Sequence, residues 1–182
     1  MSRARAAIAA RTTVEELMSA ALTAFGKTAG ADSATFDDFF DAASFCRPLC
    51  EELGGEVGSD AWYSWQHGEW AILGDLGLLL QRRHAALAAL SERVGELVVG
   101  AVDTGFEYAH FAVYDDGEMR RRLTLEDEAL ELEGLPVAAE RGRHLEDFSE
   151  EEAERLWTSY GLPTFEYDPE EGRFRCQQVS GA

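Results

Sequence analysis

The sequence predicts an α+β fold: a largely antiparallel sheet with helices packed on one face, preceded by two N-terminal helices. Three observations carry this expectation. Between Leu97 and Leu125, apolar, β-branched and aromatic runs of strand length are broken by Asp103-Thr104-Gly105 and Asp115-Asp116-Gly117, as in an antiparallel meander. Between Trp62 and Leu73, a Trp-rich stretch is interrupted by His67-Gly68, which suits a hairpin. Thr13-x-x-Glu16 and Ser149-x-x-Glu152 each precede an apolar stripe at helical spacing, the arrangement of a capping box. On this reading residues 1–60 are an N-terminal helical segment, separate from or integral to an α+β domain at 61–182.

The first helix runs from about 13 to 26. Val14, Leu17, Met18, Ala21, Leu22 and Phe25 share a face, and Gly26 stops it. Lys27–Thr35 is small and polar and reads as a connection. Phe36, Phe39, Phe40 and Ala43 then share a helical face, with Asp37, Asp38 and Asp41 opposite. Pro48 lacks an amide proton and must kink or restart this helix. Gly54-Gly55 ends it.

A turn at His67-Gly68 sets Trp65 opposite Trp70 and Tyr63 opposite Ile72. Two readings follow for Trp65 and Trp70: hairpin core, or an aromatic platform for a sugar, a base or a cationic ligand. The core reading is preferred. Leu76, Leu80, Leu87, Leu90 and Val94 form a helical stripe through Gln81–Arg93, closed by Gly95.

The register of the meander's second hairpin is open. A two-residue turn at Asp116-Gly117 places Val113 opposite Arg120; a three-residue loop with a bulge places it opposite Met119. In either case Arg120, Arg121 and Arg122 are consecutive, so the alternation of side chains sends at least one to each face. A guanidinium held under the sheet either binds a ligand carboxylate or phosphate or makes a structural ion pair, and the ion pair is expected. Glu126–Glu133 alternates charged and apolar residues and suits an exposed edge strand. Thr164–Tyr167 and Arg173–Val179 flank Asp168–Gly172 and suggest a terminal hairpin.

Charge narrows the function classes. The chain has 35 acids and 16 bases, a net charge of −19. Residues 31–60 contain eight acids and one base, and residues 146–182 ten acids and three bases. A phosphate backbone needs clustered Lys and Arg, so direct nucleic-acid binding is disfavoured. A basic protein partner is favoured, with Glu150, Glu151 and Glu152 as candidate partner-binding residues. No apolar run reaches the ~18 residues that span a bilayer, and there is no secretory h-region. With three cysteines, this suggests a reduced, cytoplasmic protein that does not engage membranes.

Phosphate loops, zinc-protease motifs, nucleophile elbows and paired Cys/His ligand spacings are absent from the sequence, so no metal and no cofactor is expected. Asp103, Glu107 and His110 are close in sequence, but Glu107 and His110 are three apart and face opposite sides of a regular strand. The leaning is therefore toward a non-enzyme.

Gly68-Glu69-Trp70 through Asp75, Leu90-Ser91, Asp115-Asp116-Gly117-Glu118-Met119-Arg120 and Gly134-Leu135-Pro136-Val137-Ala138-Ala139-Glu140 together resemble a group of small uncharacterised bacterial α+β proteins. Some of these neighbour toxin genes and are regarded as immunity proteins. The resemblance spans about residues 62–161, rests on turn residues and spacing, and carries over no functional residue. It implies a protein-binding immunity or inhibitor module. Two alternatives remain from the residues themselves. One is a small-molecule-binding domain or enzyme using the Trp-rich hairpin and Arg120–Arg122. The other is a structural subunit assembled through the N-terminal helices.

Overall fold

The computed structural model describes residues 3–167 and 173–181. These residues form a nine-stranded sheet in which every pairing is antiparallel. The strands are β1 (Ala4–Ala10), β2 (Lys27–Phe36), β3 (Ser59–His67), β4 (Trp70–Asp75), β5 (Leu97–Asp103), β6 (Tyr108–Asp115), β7 (Glu118–Glu126), β8 (Ala129–Gly134) and β9 (Phe174–Gly181). Their order is β2-β9-β3-β4-β1-β5-β6-β7-β8.

Helices cover both faces of the sheet rather than one. On one side, α1 (Val14–Ala24) and α3 (His84–Val94) bury Leu17, Ala21, Leu87 and Leu90 against Ile8, Leu73 and Val99. On the other, α2 (Phe39–Cys46) and α4 (Glu150–Thr158) bury Ala42, Cys46, Leu156 and Trp157 against Tyr63, Trp65 and Phe111. α1 begins at the Thr13 capping box, and Ser149 caps α4 by accepting from the Glu152 amide. The first sixty residues are thus not a purely helical prefix: they supply β1 and β2 as well as α1 and α2. β1 pairs with β4 on one side and β5 on the other.

The composition of the central strands has a steric cause. β1 is Ala-Arg-Ala-Ala-Ile-Ala-Ala, and its neighbours present Gly74 and Gly100. A Cβ on Gly74 would stand 2.6 Å from the Tyr63 ring and from the Ala6 carbonyl oxygen. On Gly100 it would stand 2.7 Å from Phe165 and 2.9 Å from Trp157. Small residues in the middle of the sheet make room for large rings from either side, which is how an interior reaches close packing.

The two hairpins adopt registers other than those expected. In β3–β4 the turn residues are Gly68-Glu69, so His67 pairs with Trp70 and Trp65 with Ile72. Gly68 takes the left-handed position at φ +55°, which glycine adopts without steric cost. The slip is two residues, so both tryptophans keep the same face. In β6–β7, Asp116 (φ +50°) and Gly117 (φ +78°) form a two-residue turn, and Asp115 pairs with Glu118. An extra residue, Arg120, then bulges from β7, so Val113 lies opposite Arg121 instead of Arg120 or Met119. β8 is the expected edge strand. The expected terminal hairpin falls partly on 168–172, outside the described residues. Its first arm, Thr164–Tyr167, is not a strand, and its second is β9, which inserts between β2 and β3.

Candidate functional site

Trp65 and Trp70 are 1% and 3% exposed, so neither ring offers a platform to solvent. Trp65 stacks on Tyr63 with centroids 6.1 Å apart and meets Tyr167 edge-on at 4.8 Å. Trp70 packs edge-on to Tyr160, and the Arg11 guanidinium lies 4.2 Å from its ring centroid. Arg11 also holds Glu69 and Glu96, each at 3.0 Å. The pair is diagonal across the hairpin rather than directly opposed.

The β7 bulge determines the fate of the three arginines. By adding one residue it puts Arg121 on the α4 face, where its side chain is 5% exposed. There it forks onto Glu140, Nε to Oε1 and Nη2 to Oε2, both at 2.8 Å. Its Nη1 donates to the carbonyls of Glu133 and Gly134 at 3.2 and 2.9 Å. Glu140 also accepts from the Val137 amide at 3.0 Å. A buried ion pair persists when both partners find such further hydrogen bonds. Arg122 points to the opposite face and pairs with Glu133, while exposed Arg120 pairs with Glu118. All three cations are therefore neutralised from within the chain.

The acids at the start of α4 are similarly engaged. Glu152 bridges Arg143 at 3.0 Å and Arg155 at 2.6 Å, and Glu151 also pairs with Arg155. Glu150 makes no ion pair among the described residues. Glu154 binds Arg3 at 3.1 Å and accepts from the Phe165 amide at 2.7 Å. The acids of residues 31–56 stand in a different environment. Asp32, Asp37, Asp38, Asp41, Glu51, Glu52 and Glu56 are all exposed. Among the described residues only Asp37 has a cationic partner, Arg173 at 2.9 Å. Between these acids stand Phe40 at 79% exposure, Leu53 at 39% and Val57 at 91%. Charge counting along the sequence locates this acidic segment, but the expected helical face of Phe36, Phe39, Phe40 and Ala43 does not hold for Phe40. Phe40 belongs to the outer face of α2.

The other chemical groups are committed to structure. Asp103 accepts from the Gly105 amide in its turn at 2.9 Å, and Glu107 is exposed in the same turn. His110 lies beneath the α3 face, its Nδ1 2.9 Å from the Thr124 hydroxyl. Burial pulls His110 down to about 3, so its ring is neutral at physiological pH. These three do not assemble an acid–base pair. Cys46, Cys50 and Cys176 are buried free thiols, and burial, with Asp60 nearby, pushes Cys50 up to about 12, the behaviour of an unreactive thiol. Among the described residues no group of three or more His, Cys, Asp or Glu is placed to hold a metal ion, and no helix is long and apolar enough to cross a membrane. Comparison of the chain with protein-family models, with curated proteins and with solved structures found no match.

Proposed function

We propose that the chain is a non-enzymatic, acidic module that binds a basic protein partner in the cytoplasm, an immunity or inhibitor protein of the kind the sequence resemblance implies. One observation carries this reading: seven exposed acids along residues 32–56, only one of them ion-paired among the described residues, are interspersed with exposed Phe40, Leu53 and Val57. Apolar anchors rimmed by uncompensated charge of one sign suit a partner of the opposite sign. α2 and α4 pack on the same face of the sheet, but Glu151 and Glu152 are bridged by arginines, so on that side the uncompensated charge comes chiefly from the acids of α2. The alternative use of Trp65, Trp70 and Arg120–Arg122 for a small ligand loses support, because those rings are buried and those cations are paired. The acidic balance also works against nucleic acid.

The test is capture from the native host followed by association kinetics on the recovered partner. The expected partner is basic, and its on-rate falls about tenfold or more as salt screens the field. Combining Asp37→Asn, Asp41→Asn and Glu52→Gln with Phe40→Ala should slow association more than Glu151→Gln, whose charge is already bridged. A neutral or acidic partner, or a salt-independent rate, would refute the reading.

A further inference from the structure

A cavity of about 320 Å³ lies at one end of the sheet, under the turn that leaves α1 and the segment that precedes α3. Phe25, Trp62 and Leu80 supply an apolar wall, and Phe25 meets Trp62 edge-on at 5.7 Å. Two cations, Lys27 and Arg83, line the same space, as do three acids, Glu51, Glu52 and Asp60. Among the described residues none of these five charges is within ion-pair distance of any opposite charge, although Arg11, Arg82, Arg121 and Arg155 elsewhere all find acids.

Sheet register explains the separation. Lys27 pairs with Gly181 and Asp60 with Val179, two residues apart on the intervening strand β9. Val179 is buried in the core beneath α1, so Lys27 and Asp60 project from that same face with β9 between them. Two strand spacings put their backbones roughly 10 Å apart, too far for a short aspartate to close the gap. Both side chains are half-buried. Asp60 is held in place by the Ala61 amide, which donates to its Oδ1 at 2.8 Å.

A second feature lies behind the same wall. Asp75 lies directly behind the cavity wall: it pairs in register with Trp62, and its Oδ2 accepts from the amide of Leu79, another lining residue, at 2.8 Å. Asp75 is 1% exposed, and its Oδ1 has no hydrogen-bond partner. A buried carboxylate oxygen without a donor is uncommon and calls for an explanation.

We propose that this cavity binds a small zwitterion of amino-acid size. Its carboxylate lies toward Lys27 and Arg83, its ammonium toward Asp60, and its apolar body against Phe25, Trp62 and Leu80. Unpaired charges of both signs, held apart across an apolar wall, match a ligand that carries both charges a few ångströms apart. A ligand with one charge would leave the other side of the site desolvated and unmatched. Glu51 and Glu52 belong both to this rim and to the acidic segment proposed to bind a protein, but the zwitterion site depends on Lys27 and Asp60, whereas that segment's reading depends on Asp37, Phe40 and Asp41.

The experiment is calorimetric titration with leucine, methionine and phenylalanine, alongside isoamylamine and 4-methylpentanoate as single-charge counterparts of leucine. The expected result is that at least one amino acid binds with a dissociation constant of about 1 mM or tighter, and both single-charge compounds at least about tenfold more weakly. Lys27→Met and Asp60→Asn should each weaken binding about tenfold or more, while Lys27→Arg restores it and Arg93→Gln has no effect. Circular dichroism establishes that each variant is folded, and Lys27→Arg reports on the site even if Lys27→Met is not. Failure of all three amino acids to bind, equal binding of the amine or the acid, or indifference to both substitutions would overturn the proposal. None of these outcomes bears on salt-dependent capture of a protein partner, so the two readings fail separately.

Discussion

The two acid-rich regions of this chain carry the same sign of charge and put it to different uses. Between 138 and 166, Glu140, Glu151, Glu152, Glu154 and Glu166 each contact an arginine, and Glu140 and Glu154 do so across long sequence separations. Between 32 and 56, one acid of seven exposed is ion-paired among the described residues. Arg3 just before β1, Arg121 on β7, Arg143 in the loop before α4 and Arg155 within α4 thus compensate most of the C-terminal acids, while most of the N-terminal ones stay bare. Net charge alone does not distinguish these roles; the placement of a few cations does. Acids with a cationic partner hold the fold together, whereas acids without one set the electrostatic field a partner meets.

The largest expected effect comes from breaking the deepest of the compensated pairs. Glu140→Gln leaves the Arg121 guanidinium buried with no counter-charge, and should cost about 3–5 kcal/mol. Urea denaturation measures it; a loss below about 1 kcal/mol would mean that water reaches Arg121 in the folded protein.

Asp75 sharpens the contrast, because it is a buried acid that no arginine meets. Burial is the leading cause that raises its carboxyl to about 7, with the Asp60 charge adding to it. The unfolded group titrates near 3.9, so between about pH 4 and 7 the folded state holds a proton that the unfolded state releases. Its contribution is fully favourable below about pH 4 and is lost as pH rises through 7. Asp75→Asn should therefore stabilise the protein by on the order of 2–4 kcal/mol at pH 8 and by almost nothing at pH 4. Equal effects at the two pH values would show that the carboxyl is already compensated.

The smallest effects belong to the bare region. Asp37→Asn, Asp41→Asn and Glu52→Gln should each alter stability by no more than about 0.5 kcal/mol, as exposed substitutions away from special features do. A cost several times larger in thermal unfolding would assign those acids to the fold rather than to the surface field.

How much of this was legible beforehand follows from the range of the interactions. Local chemistry was readable: the Thr13 capping box, the Ser149 N-cap (though Glu152 turns to Arg143 and Arg155 instead of closing the box), the stop of α1 at Gly26, the meander and the alternating edge strand β8 all rest on residues a few positions apart. The consecutive arginines also required a buried one, and Arg121 fills that role. What escaped depends on distant neighbours. β1 lacks the Val and aromatic content of a typical strand, and the rings of Tyr63, Trp157 and Phe165 instead close over Gly74 and Gly100 of the two strands beside it. β2 is largely exposed and interrupted by a register shift between Ala29 and Ser33, so it shows no alternation. β9 pairs with strands far away in sequence rather than with an adjacent arm. The cavity between Lys27 and Asp60 was invisible for the same reason, since β9 separates them in space and most of the chain lies between β3 and β9 in sequence.

The position of β1 has a consequence for how the chain comes to be folded. β1 is translated before both of the strands it pairs with, yet it lies at the middle of the sheet, and those strands end at Asp75 and Asp103. At ordinary synthesis rates the segment waits roughly 5–20 s for both neighbours to emerge. Pairing it earlier would mean closing a loop with nothing to pack against, which is entropically unfavourable. Its alanines suit that wait: a nascent segment with little hydrophobic area has little to aggregate through. The residues that let the finished sheet accept bulky neighbours also keep its central strand inconspicuous until those neighbours arrive.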